Sequence, residues 1–257
     1  MPRSIWNGTI TLGTIAVPVR VHSAIEDRTV HFHQVHAADG ARIEHKRICP
    51  NEDEEVPYSE IVKGFEVAPD EYVVLEKDEI KAAAGPRSRR LDIEEFVDAA
   101  AIDPVFYERT YHLGVREAAD AYRVLHDALA RTGRSGIARW QFHDREYVVA
   151  IRALDGILAM HTMRFHDEIV RGEELEVGTP SREPTAREIE MAAVLVDNLH
   201  VGFDPEDFDD TYRRRVLDYL EQKRRGTAPQ PAPADDRPRS DDLMAALKAS
   251  IEREGAS

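Results

Sequence analysis

The chain has 257 residues, 42% apolar and 32% charged, which suits one large globular domain or two modest ones and excludes a wholly disordered polymer. Its formal net charge of −15 speaks at first sight against nucleic acid, because a phosphate-binding surface must be cationic. The opening residues lack the apolar core of a signal peptide and no run approaches the roughly 18 apolar residues of a membrane span, so a cytoplasmic protein without a membrane partner is expected. The single cysteine, Cys49, admits no internal disulfide, which is compatible with that compartment.

From Ile5 to His22 two alternating series, Ile10, Leu12, Thr14 and then Val17, Val19, Val21, predict strands that open a barrel or sheet, with Gly13 and Pro18 as bulge or edge positions. Val30 to His36 and Glu71 to Glu76 are further strand candidates. Between these, residues 37–70 carry charges, Pro50, Pro57 and Gly64, and read as a long excursion from the sheet, a length that usually serves a purpose. After a second irregular stretch, Ala118, Tyr122, Leu125 and Leu129 lay one stripe on a helix over Val115 to Arg131, stopped by Gly133. Three strands follow, Ile137 to Phe142, Tyr147 to Ala153 and Ile157 to Phe165, the last two joined by the hairpin signal Asp155-Gly156.

From Thr185 the pattern turns helical. Thr185 and Glu188 form a capping box, Ile189, Ala192, Ala193, Val196 and Leu199 follow at helical spacing, and a second helix is predicted from Pro205 to Arg225 with Phe208, Tyr212, Val216, Leu217 and Leu220 as its stripe. Their apolar faces must be covered by their own domain or by a second subunit. Residues 226–240, with four prolines and no bulky apolar side chain, predict an extended linker. Beyond it, Leu243, Leu247 and Ile251 share a helix face beside Met244, a candidate docking peptide or a frayed tail, since a helix this short is marginal alone.

Charge is unevenly spread. Residues 1–50 hold six Lys/Arg against four Asp/Glu, with five of the eleven histidines, whereas residues 51–110 hold seven basic and seventeen acidic residues. An acidic shell around a locally basic surface gives this pattern, and so do solvated acidic loops. Catalytic motifs are missing: there is no Walker loop, dinucleotide fingerprint, His-Glu-x-x-His or Gly-x-Ser-x-Gly. His31 and His33 would share a strand face as the best metal pair, but a surface strand explains them equally well, and Cys49-Pro50-Asn51-Glu52 is half a zinc ribbon without its partner. The acidic runs 52–55 and 204–210 leave a metal-dependent nuclease open without demanding it.

Several strings then carry a resemblance. Ser4-Ile5-Trp6-Asn7-Gly8-Thr9-Ile10, Phe32-His33-Gln34-Val35-His36, Lys46-Arg47-Ile48-Cys49-Pro50, Ile61-Val62-Lys63-Gly64-Phe65-Glu66, Leu91-Asp92-Ile93-Glu94-Glu95-Phe96-Val97 and Ile102-Asp103-Pro104-Val105-Phe106-Tyr107 stand in the order found in the bacterial Ku family, which the chain resembles from residue 3 to about 225. The tail from Leu243 to Ile251 resembles that family's short carboxy-terminal segment.

The resemblance implies a mixed β/α fold. A β-barrel core over residues 1–180 would carry an inserted bridge at about 37–70 and one helix at about 115–131; a helical arm at 185–225, a flexible linker at 226–240 and a ligase-recruiting helix at 241–257 would follow. It further implies a homodimer whose ring encircles the ends of double-stranded DNA without reading sequence, performs no bond chemistry, needs no cofactor or metal, and recruits the ATP-dependent ligase of bacterial end joining. The DNA contacts it suggests are Arg28, Arg42, His45, Lys46, Arg47 and Lys63 in or near the bridge, and Arg87, Arg89 and Arg90 in the next basic cluster; the ligase anchors are Leu243, Met244, Leu247 and Ile251. The chain departs from some relatives in lacking a second cysteine near Cys49 and a lysine-rich extension, so neither zinc nor tail-driven DNA bridging is expected. A scaffold domain that recruits a partner without touching DNA is the alternative, distinguishable by charge reversal at Lys46 and Arg47.

Overall fold

Trp6–Leu12 form β1 and Ile15–Ser23 form β2, paired antiparallel from Trp6 opposite Val21 to Leu12 opposite Ile15. Their turn is two residues long and Gly13 takes φ 57° in it, so this glycine makes the hairpin's corner and is not a bulge. Ile10, Val17, Val19 and Val21 point inward and are at most 1% exposed. The computed structural model describes residues 3–83, 88–143, 145–172, 175, 178 and 182–227. Two compact units divide the chain, Met1–Arg28 with His33–Glu174 and Thr29–Phe32 with Leu175–Ser257.

After β2 the first unit leaves its barrel until residue 90. In that span β3 (Ile48–Cys49) pairs with β4 (Glu54–Glu55), β5 (Lys63–Ala68) pairs with β6 (Glu71–Leu75), and α1 covers Lys77–Ala83. The strand expected over Val30 to His36 does not form; only an isolated bridge joins Val35 to Arg42. Its apolar residues have no sheet face to bury against, Phe32 being 66% and Val35 56% exposed.

The barrel resumes with β7 (Arg90–Asp98), β8 (Tyr107–Val115), α2 (Ala119–Thr132), β9 (Arg134–Phe142), β10 (Arg145–Leu154) and β11 (Ile157–Met163). Seven strands close in the order β1, β2, β8, β11, β10, β9, β7, and the seam is a parallel pairing of β1 with β7 from Thr9 opposite Arg90 to Thr11 opposite Asp92. At this seam Gly8 lies under the Trp6 ring beside the Arg89 carbonyl, and a Cβ there would collide with both. The stretch before α2, irregular by sequence, thus holds two full barrel strands. In β7 a register shift between Ile93 and Glu95 breaks the period-two pattern that would have announced it.

Helix α2 begins four residues later than its stripe predicts, because Val115 still belongs to β8 and Ala118 caps the helix in the left-handed region at φ 54°. Gly133 ends it at φ 64°, its N–H donating to the Leu129 carbonyl. Tyr122, Leu125 and Leu129 of α2 join the barrel core. The Tyr122 hydroxyl donates to the Leu113 carbonyl at 2.6 Å and accepts from the Leu158 N–H at 2.7 Å, which ties the helix to the point where the β8–β11 pairing starts. Burial raises this phenol's pKa, so it keeps the proton it donates.

On the barrel's outer wall His161 of β11 is only 6% exposed. Burial first and the charge of Arg152 second lower its pKa to about 4 from 6.5. The imidazole is therefore neutral in the fold at pH values where the unfolded chain's histidine takes a proton. Stability contributed by this site is full above pH 6.5 and falls as the pH drops toward 4, by about 2–3 kcal/mol between pH 7.5 and 4.5. Urea melts at those two pH values check this: His161→Gln should lose less stability on acidification than wild type, and an equal loss would contradict it.

In the second unit, α3 (Ala186–Asn198) starts at the capping box, with the Thr185 hydroxyl accepting from the Glu188 N–H at 3.3 Å and the Glu188 carboxylate accepting from the Thr185 N–H at 2.7 Å. Arg182 also pairs with this carboxylate, and it and then the Thr185 donors hold the Glu188 pKa down to about 2. Helix α4 spans Thr211–Arg224, capped by the Asp210 carboxylate accepting from the Arg213 N–H at 2.8 Å. It starts later than expected. Asp204 and Pro205 instead open a separate single turn over Pro205–Asp207, leaving Phe208 outside the helix, stacked on Phe203 at 5.6 Å between centroids. Ile189, Val196, Leu199, Tyr212 and Leu217 are all exposed.

Candidate nucleic-acid interface

Among the basic residues singled out by sequence, those of the excursion sit on short, turn-rich elements. Arg42 bridges to Val35 through the backbone, flanked by a turn in which the His36 N–H donates to the Ala41 carbonyl at 2.7 Å. His45 follows in irregular chain. Lys46 donates to Glu55 at 2.7 Å, and this hydrogen bond and charge raise its pKa. Arg47 accepts the Val56 N–H on its carbonyl and lays its guanidinium 5.4 Å from the centre of the Tyr58 ring. Lys63 opens β5 opposite Leu75. Arg28 donates to Glu26 at 2.9 Å.

The second group lies at the barrel seam. The Arg89 carbonyl accepts from the Thr9 N–H at 2.9 Å, whereas Arg90 donates to Asp92 at 2.7 Å. Asp92 also accepts from Thr11, and these two donors, Thr11 first, lower its pKa. Arg87 and the anchors Leu243, Met244, Leu247 and Ile251 lie outside the described residues. Among the described residues, Arg42, Arg47, Lys63 and Arg89 have no carboxylate partner, while Arg28, Lys46 and Arg90 do. The first four therefore keep a full charge for an external anion; the paired three present less.

Sequence reasoning passed over Tyr58 and Lys77. The Arg47 guanidinium and the Lys77 ammonium, 5.8 Å away, both lie over the Tyr58 ring, which is itself 69% exposed. The contact joins residues thirty apart, and only the fold brings them together. A second feature adjoins these cations: every residue of β5 and β6 is exposed, so Phe65, Val67, Tyr72, Val73 and Val74 stand bare on both faces of a two-stranded sheet. Such a sheet is marginal by itself.

Among the described residues no group of three His, Cys, Asp or Glu side chains is placed to hold a metal ion. Cys49 is a half-buried free thiol. No helix among them is long and apolar enough to cross a membrane.

Residues 11–191 match the family model described as the Ku70/Ku80 beta-barrel domain. Similar proteins include the non-homologous end joining protein Ku of Anaeromyxobacter sp. (strain K), 40% identical over 260 residues that cover 98% of this chain and 88% of the relative. The protein of the same name from Solibacter usitatus is 38% identical over 98% of this chain and 94% of its own length. Non-homologous end joining protein Ku 1 of Saccharopolyspora erythraea is 40% identical over 98% and 79%.

Proposed function

Since the chain belongs to the Ku family, we propose that it binds the ends of double-stranded DNA without reading sequence, as a homodimer whose two excursions close a ring that DNA enters only through an end. It performs no bond chemistry itself; through residues 241–257 it recruits the ATP-dependent ligase that rejoins the break.

The observation that carries the reading is the excursion between β2 and β7. It offers cations without carboxylate partners among the described residues, Arg42, Arg47 and Lys63, on the same excursion as a sheet whose apolar side chains are bare on both faces. A second copy covering that sheet accounts for its exposure, and contacts to phosphate alone account for indifference to sequence. The acidic total is no obstacle, because the field at a local basic surface is set by the charges nearest to it.

The test is binding to linear duplex and to covalently closed circles of the same sequence. Linear DNA should be bound and the circle should not, with affinity falling as salt rises; equal binding to both refutes threading. Deleting residues 241–257 should leave end binding intact and abolish stimulation of the ligase.

A further inference from the structure

Beyond the two basic groups already described, one arginine is held in place by a buried base. Arg152 of β10 is half-buried, and its Nε donates at 2.9 Å to Nε2 of His161. A guanidinium has only donors, so Nε2 must carry no proton. The neutral ring's proton is thereby fixed on Nδ1, which lies 3.0 Å from the Thr110 hydroxyl oxygen and donates to it. The Tyr107 ring packs against the imidazole with centroids 4.9 Å apart. With Nε engaged and the His161 ring locked between strands, the outer edge of the guanidinium, its two terminal NH2 groups, is left as a preset fork.

The surroundings favour an anion there. Arg152 lies opposite Ala159, Ala159 opposite His112, and His112 opposite His22, one row across β10, β11, β8 and β2. On the outward side of these four strands Glu108 and Glu146 stand beside Arg20, Arg152 and three histidines, His22, His112 and His161, whereas Arg109 and Arg145 fall on the inward register with Tyr111 and Tyr147. Both carboxylates are engaged, Glu108 by Thr162 and Glu146 by Arg139. In a chain with 49 acidic residues against 34 basic ones, this wall has as many arginines as carboxylates and so carries no acidic excess. Among the described residues Arg152 has no carboxylate partner.

We propose that Arg152 is a phosphodiester contact for duplex DNA on the outer wall of the barrel, with His161 as the positioning residue that sets its guanidinium. The proposal rests on the DNA-end reading above and adds a seat outside the excursion and the seam. Arg152 touches the phosphate; His161 acts through it.

The full-length protein is titrated with linear duplex over a series of salt concentrations, and melting curves report the fold of each variant. Arg152→Gln should weaken binding about tenfold and make the slope of log affinity against log salt shallower by about 0.9 per seat lost. His161→Leu, which removes the acceptor and keeps the bulk, should reproduce that loss, and His161→Gln, whose amide oxygen can accept the Nε–H, should recover most of it. The proposal is overturned if Arg152→Gln, or a folded His161→Leu, matches wild type in affinity and slope. Should His161→Leu fail to fold, Arg152→Gln decides alone. Absence of binding by wild type would instead overturn the DNA-end reading itself.

Discussion

Replacing Trp140 by alanine should destabilise the barrel by about 3–5 kcal/mol, the range for emptying a buried indole site. Trp140 is 0% exposed on β9 and is the hub of the barrel's aromatic cluster. Phe142 stacks on it at 4.5 Å between centroids, and Tyr111, Tyr147 and Trp6 approach at 5.3, 5.8 and 6.0 Å. Four rings from β1, β8, β9 and β10 thus lose their common partner at once. Because a domain of this kind is stable by only about 5–15 kcal/mol, such a loss brings it close to unfolding.

Phenylalanine at the same position should behave differently. The Trp140 indole N–H is buried with no hydrogen-bond partner among the described residues, so the ring contributes packing while its polar atom contributes a desolvation cost. Trp140→Phe removes that N–H, keeps an aromatic face for Phe142, and should cost only about 1–2 kcal/mol. Urea unfolding followed by circular dichroism measures both. A Trp140→Ala loss no larger than the phenylalanine loss would mean that the cluster is not the centre of the core.

The strands that sequence reveals best are those with one clean buried face. Val17, Val19 and Val21 alternate without interruption, and Asp155-Gly156 takes the two positive φ values, 47° and 81°, that its dipeptide promises for a two-residue turn. Strand β7 is hidden by its register shift and by Asp92, Glu94 and Glu95, and β8 by having only Tyr111 and Leu113 as buried inward residues among Glu108, Arg109, Thr110 and His112. Val30 to His36 misleads in the opposite sense, since its β-forming residues find no neighbour strand beyond one bridge. Alternation reports a face that could be buried; whether a partner arrives is a long-range fact.

The candidate site divides along the same line. That Lys46 and Arg47 form a basic pair is visible in the chain, but their difference is not: Glu55, nine residues on, neutralises one, and Tyr58 leaves the other charged. Arg152 and His161 lie nine residues apart on strands joined by a hairpin, with nothing in the sequence to show that their side chains meet. Such assignments depend on register, and a one-residue slip would send both to the barrel interior.

Reversing charge at Arg42 and Arg47 together should lower affinity for linear duplex by about a hundredfold or more in moderate salt. Both lack a carboxylate partner among the described residues, so neither charge is already spent inside the molecule, and Arg47 is held on the Tyr58 ring where its fork is preset. In a homodimer the double substitution removes four phosphate contacts, and the slope of log affinity against log salt should become shallower by about 3.6. Lys46→Gln should change affinity only about threefold, because Glu55 already offsets most of that charge and the pair is exposed to solvent. The contrast between neighbours separates local phosphate contact from net charge, which all three substitutions make more negative. A scaffold that never touches DNA would show no effect from any of them. Equal losses for Lys46→Gln and for Arg47→Gln alone, each a change of one charge, would mean that only the overall field matters, and that the arrangement around Tyr58 plays no part in binding.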